Sequence, residues 1–111
     1  VANEQVLQAA GIQQARVFAI AVPDPLATEA AVRIARRLNP VLDIIARADR
    51  RVHVQRLAEA GATEVVHPSF EAGLEMVRHT LHRYGVGIQE SQALISARRL
   101  DYYEEAERTE E

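Results

Sequence analysis

The chain has 111 residues, of which 48% are hydrophobic and 26% charged, and its formal net charge is −3. This length fits one small domain, and the composition is that of a globular protein. Basic residues are scattered among acidic ones, so nucleic acid is an unfavourable partner. Cysteine is absent, which excludes a disulfide scaffold, a thiolate metal site and a cysteine nucleophile.

The sequence shows neither a membrane-spanning segment nor a signal peptide. No run of about 18 apolar residues occurs, so we expect no direct insertion into a membrane. The N-terminus lacks the basic and then apolar layout of a signal peptide. Because the chain begins with Val1 and not with methionine, it is either processed or part of something longer, and the order of its elements favours the second interpretation.

The first elements are a short helix, a strand and a long helix. Residues 4–10 carry apolar side chains on one face, and Gly11 then ends the helix. The continuous apolar run Arg16–Val22 predicts a strand covered on both faces, as in a parallel sheet. Asp24 and Pro25 are typical of a helix start, with a carboxylate cap and proline in the first turn.

The same cycle then repeats. Residues 42–46 predict a second strand, followed by a helix that Asp49 would cap and Gly61 would end. Residues 63–66 predict a third strand, followed by a helix that Ser69 would cap. The segment Gly85–Gly87 breaks that helix, and the remainder is helical.

Three successive strand–helix units predict an α/β fold with a parallel three-stranded sheet and right-handed crossovers. The first strand is unusually apolar for an edge, so we interpret it as an interior strand that has lost a neighbour. The sheet would then be half of a Rossmann-like, doubly wound sheet. We predict that residues 1–84 form this half-domain and that residues 85–111 form a C-terminal helical extension.

The glycine-rich phosphate loop of dinucleotide-binding sheets is missing from this sequence. Gly85 and Gly87 are the only closely spaced glycines, and they follow a helix. A phosphate loop must instead follow a strand and open a helix. We therefore interpret this pair as a turn between two helices.

Five segments, in order and spacing, resemble the second half of the regulator of potassium conductance (RCK) domain, also called TrkA-N or KTN. The version attached to Kef-type cation:proton antiporters is the most similar. The resemblance covers roughly residues 4 to 88, and its segments are Val22–Pro25 (VPDP), Ala35–Pro40 (ARRLNP), Ile44–Asp49 (IIARAD), Leu57–Ala62 (LAEAGA) and Val65–Leu74 (VVHPSFEAGL). The first half of that domain, with its nucleotide loop, is not in this chain.

The resemblance implies a regulatory, non-enzymatic module at the cytosolic face of the membrane. It would control a potassium channel, a Trk-type transporter or a K⁺/H⁺ antiporter. The complete domain would bind NAD(H) or AMP, whereas binding by this fragment is left open. Family members also dimerise through two helices, which correspond here to Ser69–Tyr84 and Gln89–Glu107. Apolar residues agree with such an interface: Phe70, Met76, Leu81, Tyr84, Ile88, Ile95 and Tyr102.

Asp24, Pro25 and Arg47 are candidate ligand residues, because they follow the carboxyl ends of two predicted strands, where ligands bind in such sheets. In the family, the loop holding Asp24 and Pro25 approaches the nucleotide. An N-cap is the better explanation of Asp24, and the two roles are compatible. Arg47 can hold a phosphate or carboxylate in a bidentate manner. Its alternative is a salt bridge with Asp24 or Asp49.

Glu71 is the fourth candidate. Its place in the first turn of a helix favours the helix dipole, and at a dimer interface it could approach the partner's site. His79 and His82 are spaced as metal pairs can be, but two ligands make a poor zinc site, so we predict no metal. No catalytic arrangement stands out. Two alternatives to the sensor remain: a dimerisation-only half-domain without nucleotide binding, and a fragment of an NAD-dependent dehydrogenase.

Overall fold

The structure, a computed structural model, describes residues 4–108. The ends of the predicted ranges 1–84 and 85–111 therefore lie outside the described residues. The described chain forms five helices and three strands, in the order α1 (Glu4–Ala9), β1 (Val17–Ile20), α2 (Pro25–Leu38), β2 (Asp43–Arg47), α3 (Val52–Ala60), β3 (Glu64–Val66), α4 (Pro68–Tyr84) and α5 (Ile88–Arg108).

The three strands form one parallel sheet in the order β1-β2-β3. Ala19 is opposite Ile45, and Ala46 is opposite Val65. The predicted α/β class and parallel pairing are confirmed. Two helices, α2 and α3, connect successive strands and pack against each other and against β2 and β3.

The first strand differs from its prediction in length and burial. It spans Val17–Ile20 and not residues 16–22, and only Ile20 is buried. Val17 is 56% exposed. The expected burial on both faces is therefore wrong for this chain, because Val17 and Ala19 point to the same face of the sheet and both are exposed.

The core lies between the sheet and the two crossover helices. Most of its fully buried apolar side chains come from α2, β2 and α3: Val32, Ala35, Ile44, Ala46, Val54 and Leu57. Leu42, just before β2, is buried with them. The end of α5 also reaches this core, where Ala106 is buried and Tyr103 packs against the cluster. The division of the chain after residue 84 stays a prediction.

Two helices begin differently from their predictions. The residue preceding α3 is Arg51, without a side-chain cap, because the carboxylate of Asp49 pairs with a neighbouring arginine. Helix α4 begins at Pro68, and His67 precedes it without a side-chain cap. Ser69 therefore lies inside the helix, since Pro68 is well suited to the first helical position. Both predicted caps, Asp49 and Ser69, are wrong.

Helix ends follow the predicted glycines. Gly61 and Gly85 end α3 and α4 with φ of 121° and 100°, a region that side chains with a Cβ rarely adopt. The turn between α4 and α5 is the predicted break at Gly85–Gly87. Within residues 4–108, no helix is both long and apolar enough to cross a bilayer.

Candidate functional site

The carboxyl ends of the three strands meet along one side of the sheet, which we call the carboxyl edge. It comprises the loop Ala21–Asp24 after β1, the segment Arg47–Arg51 at the end of β2, and His67 after β3. Ligands of open parallel sheets bind outside this edge. Two predicted site residues, Asp24 and Arg47, lie here.

Asp24 caps helix α2. Its Oδ1 atom accepts hydrogen bonds from the backbone N–H groups of Leu26, at 3.0 Å, and Ala27, at 3.3 Å. Pro25 occupies the first turn. The buried hydroxyl of Thr28 donates to the carbonyl oxygen of Asp24 at 2.9 Å. The predicted N-cap is confirmed, and these hydrogen bonds fix the end of the loop after β1 to the start of α2.

Arg47 spans two strands of the edge. Its Nε donates to Oδ1 of Asp49 at 2.7 Å, and its Nη1 donates to the carbonyl oxygen of Ala21 at 3.0 Å. Of the two predicted salt-bridge partners, the structure shows Asp49. Within residues 4–108, these contacts use two of the five guanidinium N–H groups. The side chain is 38% exposed, so it lies at the surface of the edge with donors left for an anion.

Glu71 lies beside β3, at the other end of the sheet from the loop that holds Asp24. Its carboxylate accepts from Nε of Arg99 at 3.1 Å and from the hydroxyl of Tyr103 at 2.8 Å. Both partners belong to α5. The structure therefore joins Glu71 to the C-terminal helix and does not bring it together with Asp24, Pro25 and Arg47.

Tyr103 is a residue that the sequence analysis missed. Its oxygen also accepts the backbone N–H of His67 at 3.0 Å. The pKa of Tyr103 is raised from 10.0 to about 12, mainly by burial; the Glu71 carboxylate also raises it, whereas the His67 N–H lowers it. No local pattern indicates this residue, because its partners are more than thirty positions away in the sequence.

Tyr102 packs beside it and touches both the sheet edge and α4. Its hydroxyl lies 2.5 Å from Nδ1 of His67, and its ring stacks on Phe70. Burial raises the pKa of Tyr102, whereas the charges of Arg51 and Arg98 lower it. Phe70 and Tyr102, expected at a dimer interface, are thus packed against each other inside the chain.

Arg51 connects the carboxyl edge to α5. Its guanidinium carbon lies 5.9 Å from the centre of the Tyr102 ring, within range of a cation–π interaction. Its Nη2 also lies 3.8 Å from Oε1 of Glu105. Arg51 follows Asp49 by two positions, so the segment that holds the partner of Arg47 also reaches the last turns of the chain.

The histidines do not gather around a metal position. His79 lies 3.2 Å from the carboxylate of Glu75, one turn earlier on α4. No group of three or more metal-ligating side chains occurs among residues 4–108.

Comparison with known protein families shows which family this chain belongs to. The model of the TrkA-N domain family matches residues 1–68, which is more than half of the chain. The chain belongs to the TrkA-N domain family.

Similar proteins extend this result beyond the matched segment of the TrkA-N chain. A protein of Alkalimonas amylolytica named as a K(+) efflux antiporter, KefB, is 35% identical over 102 residues. An uncharacterized protein of Methanothermus fervidus is 36% identical over 74 residues. The alignments cover 92% and 67% of this chain but 15% and 12% of those proteins, so the TrkA-N chain spans a small part of their length.

Two solved structures share its fold. The TrkA-N domain of the inner membrane protein ybaL from Escherichia coli is 32% identical, with a TM-score of 0.65 over 68% of this chain and 56% of that one. The Kef CTD of Shewanella denitrificans in AMP-bound form is 22% identical, with a TM-score of 0.77 over 93% of this chain and 65% of that one. The predicted resemblance to TrkA-N domains of the Kef type is confirmed.

Proposed function

We propose that this TrkA-N chain is part of a regulatory domain that senses a nucleotide and controls a K⁺ efflux antiporter. The support is its membership of the family together with its 35% identity to the protein named KefB. The domain would act at the cytosolic face of the membrane, with the antiporter as its partner. The role is regulatory and not catalytic.

The position of Arg47 is the observation that carries the nucleotide part of this proposal. Its guanidinium lies on the carboxyl edge, bridges the end of β2 to the loop after β1, and keeps donors exposed. Such a group suits a phosphate, which it can hold in a bidentate manner. We assign Arg47 to the nucleotide phosphate and the Asp24–Pro25 loop to the adjoining wall of the site.

AMP and NAD(H) are the nucleotides that we propose for the complete domain. The Kef CTD of Shewanella denitrificans has a similar fold and is described in AMP-bound form. This chain contains no G-x-G-x-x-G sequence, so the phosphate loop would come from another segment of the domain, beside the exposed edge of β1. The nucleotide site would then be formed jointly by that phosphate loop and by Arg47 and Asp24 of this chain.

Glu71 has a narrower role in the proposal. Its carboxylate is engaged by Arg99 and Tyr103, so we assign it first to the docking of α5. The prediction that Glu71 also approaches the nucleotide site of the partner subunit in a dimer is kept as a prediction.

The test is nucleotide binding by the complete domain, measured by calorimetry with AMP and with NADH. Arg47→Ala should weaken binding about 10- to 100-fold, since a hydrogen bond to a charged group contributes about 1.5–3 kcal/mol. Arg33→Ala is the matched control, because Arg33 is also an exposed, ion-paired arginine but lies in the middle of α2. Unchanged affinity in Arg47→Ala would overturn the role of Arg47, and absence of binding by the unaltered domain would overturn nucleotide sensing.

We also propose a homodimer formed through α4 and α5. Of the apolar residues expected at this interface, Ile95 is buried within the chain. Others are exposed, and further exposed apolar side chains accompany them: Met76, Val77, Tyr84, Ile88, Leu94 and Leu100. This surface also supports the second candidate function, a dimerisation module without nucleotide binding.

Sedimentation tests the dimer, and nucleotide titration separates the two functions. Leu100→Glu should shift a dimer towards monomer, because it places a charge on the proposed interface. Val41→Glu is the control, since Val41 is also exposed but lies in the turn before β2. A monomer at micromolar concentration in the unaltered protein would rule out the dimer. A stable dimer whose melting temperature no nucleotide raises would favour the assembly module.

A further inference from the structure

Ser91 carries a buried hydroxyl that the described fold does not use. It lies near the start of α5, and 3% of its surface is exposed. Within residues 4–108 its Oγ atom has no hydrogen-bond partner. A buried hydroxyl without a partner lowers stability, and native proteins pair most such groups. A bound ligand would supply the missing partner.

Ser91 also lines a cavity of about 100 Å³ in the corner between α4 and α5. The two helices are joined here by the Gly85–Gly87 turn. Because an engineered cavity of about 150 Å³ holds benzene, this one suits a molecule of about four to six non-hydrogen atoms. Its lining comes from both helices and from the turn: Arg78, His82, Val86, Ile88, Ser91 and Gln92.

The turn supplies the apolar part of this lining. Val86 and Ile88 have purely aliphatic side chains and lie on either side of Gly87. The N–H of Val86 donates to the carbonyl oxygen of Leu81 at 3.0 Å, which ties the turn to the end of α4. Since burial of apolar surface is favourable, a ligand in this cavity gains from having an apolar body.

The two helices supply the polar part. Ser91, Gln92 and His82 each have a hydrogen-bond donor, and Arg78 adds a positive charge. The contacts of Arg78 to Glu75 involve Nε and Nη2, so the N–H groups of Nη1 are left. None of the lining residues in the described chain is acidic. This set of donors favours an anionic acceptor. A phosphate group alone would fill the cavity, whereas a carboxylate leaves room for a short chain.

We propose that this corner of the TrkA-N chain binds a short aliphatic carboxylate. Its carboxylate group accepts from the Ser91 hydroxyl and pairs with Arg78, and its chain lies against Val86 and Ile88. Such a ligand contacts α4, the turn and α5 together, so it holds the two helices at a fixed angle. The site is separate from the nucleotide proposal, because Tyr102, beside the carboxyl edge, lies about 16 Å further along α5 than Ser91.

The cavity and the proposed dimer surface lie on different flanks of α4. Arg78 and His82 lie on one side of the buried Leu74, whereas the exposed Val77 lies on the other side. Of the apolar residues assigned to the dimer surface, only Ile88 also lines the cavity. Ligand binding and dimerisation can therefore be tested separately.

The test titrates sodium propionate into this 111-residue chain and follows the backbone amide signals by ¹H–¹⁵N NMR. We expect saturable shifts at Val86, Ile88, Ser91 and Gln92. Formate has the charge without the chain, and propanol has the chain without the charge, so both should bind several-fold more weakly than propionate. Sodium chloride at equal concentration is the ionic-strength control. Shifts that do not saturate, or equal affinity for formate or propanol, overturn the proposal.

Ser91→Ala separates a binding role of this residue from a structural one. Because Oγ has no partner within residues 4–108, the variant should keep or raise the melting temperature of the free chain. It should also weaken propionate binding about tenfold, since a hydrogen bond to a charged group is lost. Ser96→Ala is the matched control, because Ser96 is exposed on the same helix. A destabilised Ser91→Ala with unchanged affinity would make Ser91 a structural residue and overturn its assignment.

Gln92→Glu is an independent second variant. Gln92 is exposed, so the substitution should preserve the fold while it places a negative charge at the cavity. Repulsion should weaken the binding of propionate more than that of propanol. Equal effects on the two molecules would contradict recognition of a carboxylate. No nucleotide is present in these experiments, so failure of the proposed function is seen separately in the calorimetry.

Discussion

The ring of Tyr102 stacks on the ring of Phe70, with centroids 3.8 Å apart and planes inclined by 12°. Tyr103 meets Phe70 edge-on at 5.7 Å and Tyr102 at 5.1 Å. Tyr102 and Tyr103 lie near the end of α5, whereas Phe70 lies in the first turn of α4. This cluster, with the hydroxyl contacts to His67, fastens the end of the chain to the edge of the sheet.

Loss of the stacked ring should destabilise the fold. We expect Tyr102→Ala to lower the free energy of unfolding by about 2 kcal/mol, because a half-buried ring and its aromatic contacts are lost. Urea denaturation measures the difference. Tyr84→Ala is the matched control, since Tyr84 is 87% exposed and should change stability little. Equal losses for the two variants would show that the cluster does not stabilise the chain.

Tyr103 should make stability fall in alkaline solution. Its pKa is raised from 10.0 to about 12 in the folded chain, mainly by burial, so the folded state holds the phenol proton more tightly than the unfolded state does. The resulting stabilisation is complete below pH 10 and is lost as the pH rises towards 12. Urea midpoints measured across this range should fall less steeply for Tyr103→Phe. An identical pH profile for the two proteins would contradict the assignment.

The sequence predicts much of the fold because its local signals agree with the packing. Gly61 and Gly85 end helices as predicted, and Asp24 caps α2 as predicted. Three apolar runs give three parallel strands in chain order. Each of these features depends on residues a few positions apart, which periodicity and capping rules describe well.

Contacts between distant residues limited the prediction of the site. Asp49 has the right residue type for a cap, but Arg47 competes for it, and an apolar pattern does not reveal such a competition. Glu71 binds Tyr103, 32 positions later. Only the three-dimensional structure shows that α5 returns to this edge and that Tyr102 stacks on Phe70 there; the place of these two residues at a dimer surface stays a prediction.

Asn39 ties the segment before β1 to the end of α2. It is buried, and its Nδ2 donates to the carbonyl oxygens of Ile12 at 2.9 Å and Ala15 at 3.2 Å. Asn39→Ala would leave these acceptors without their donor, so we expect a loss of about 2 kcal/mol in unfolding free energy. Asn39→Asp should be at least as destabilising, since a carboxylate cannot donate to them.

Chemical denaturation of both variants measures these losses. Arg33→Ala again supplies the comparison, because Arg33 is an exposed residue of α2 whose only described partner, Glu29, also binds Arg56. If Asn39→Asp were as stable as the unaltered chain, the donor role of the amide would be refuted.

Gly61 and Gly85 both have positive φ, but they differ in their surroundings. A Cβ at Gly61 would lie 2.9 Å from Cγ of Arg36, whereas a Cβ at Gly85 would meet nothing within 4 Å. Arg36 cannot move away without cost, because its guanidinium donates to the carbonyl oxygens of Gly61 at 2.8 Å and Pro40 at 2.9 Å. The two glycines therefore separate the cost of backbone conformation from the cost of a clash.

Gly85→Ala should lower the free energy of unfolding by about 1 kcal/mol, which is the cost of a left-handed alanine. Gly61→Ala should lower it by about 2–3 kcal/mol, because overpacking against Arg36 is added to the cost of a positive φ. Adding Arg36→Ala to Gly61→Ala tests this reasoning in a double-mutant cycle. The shortest contact, to Cγ of Arg36, is then removed and only the 3.1 Å contact to its Cβ remains, so the two substitutions should cost less together than the sum of their separate effects. Strictly additive losses would mean that Arg36 does not contribute to the requirement for glycine at position 61.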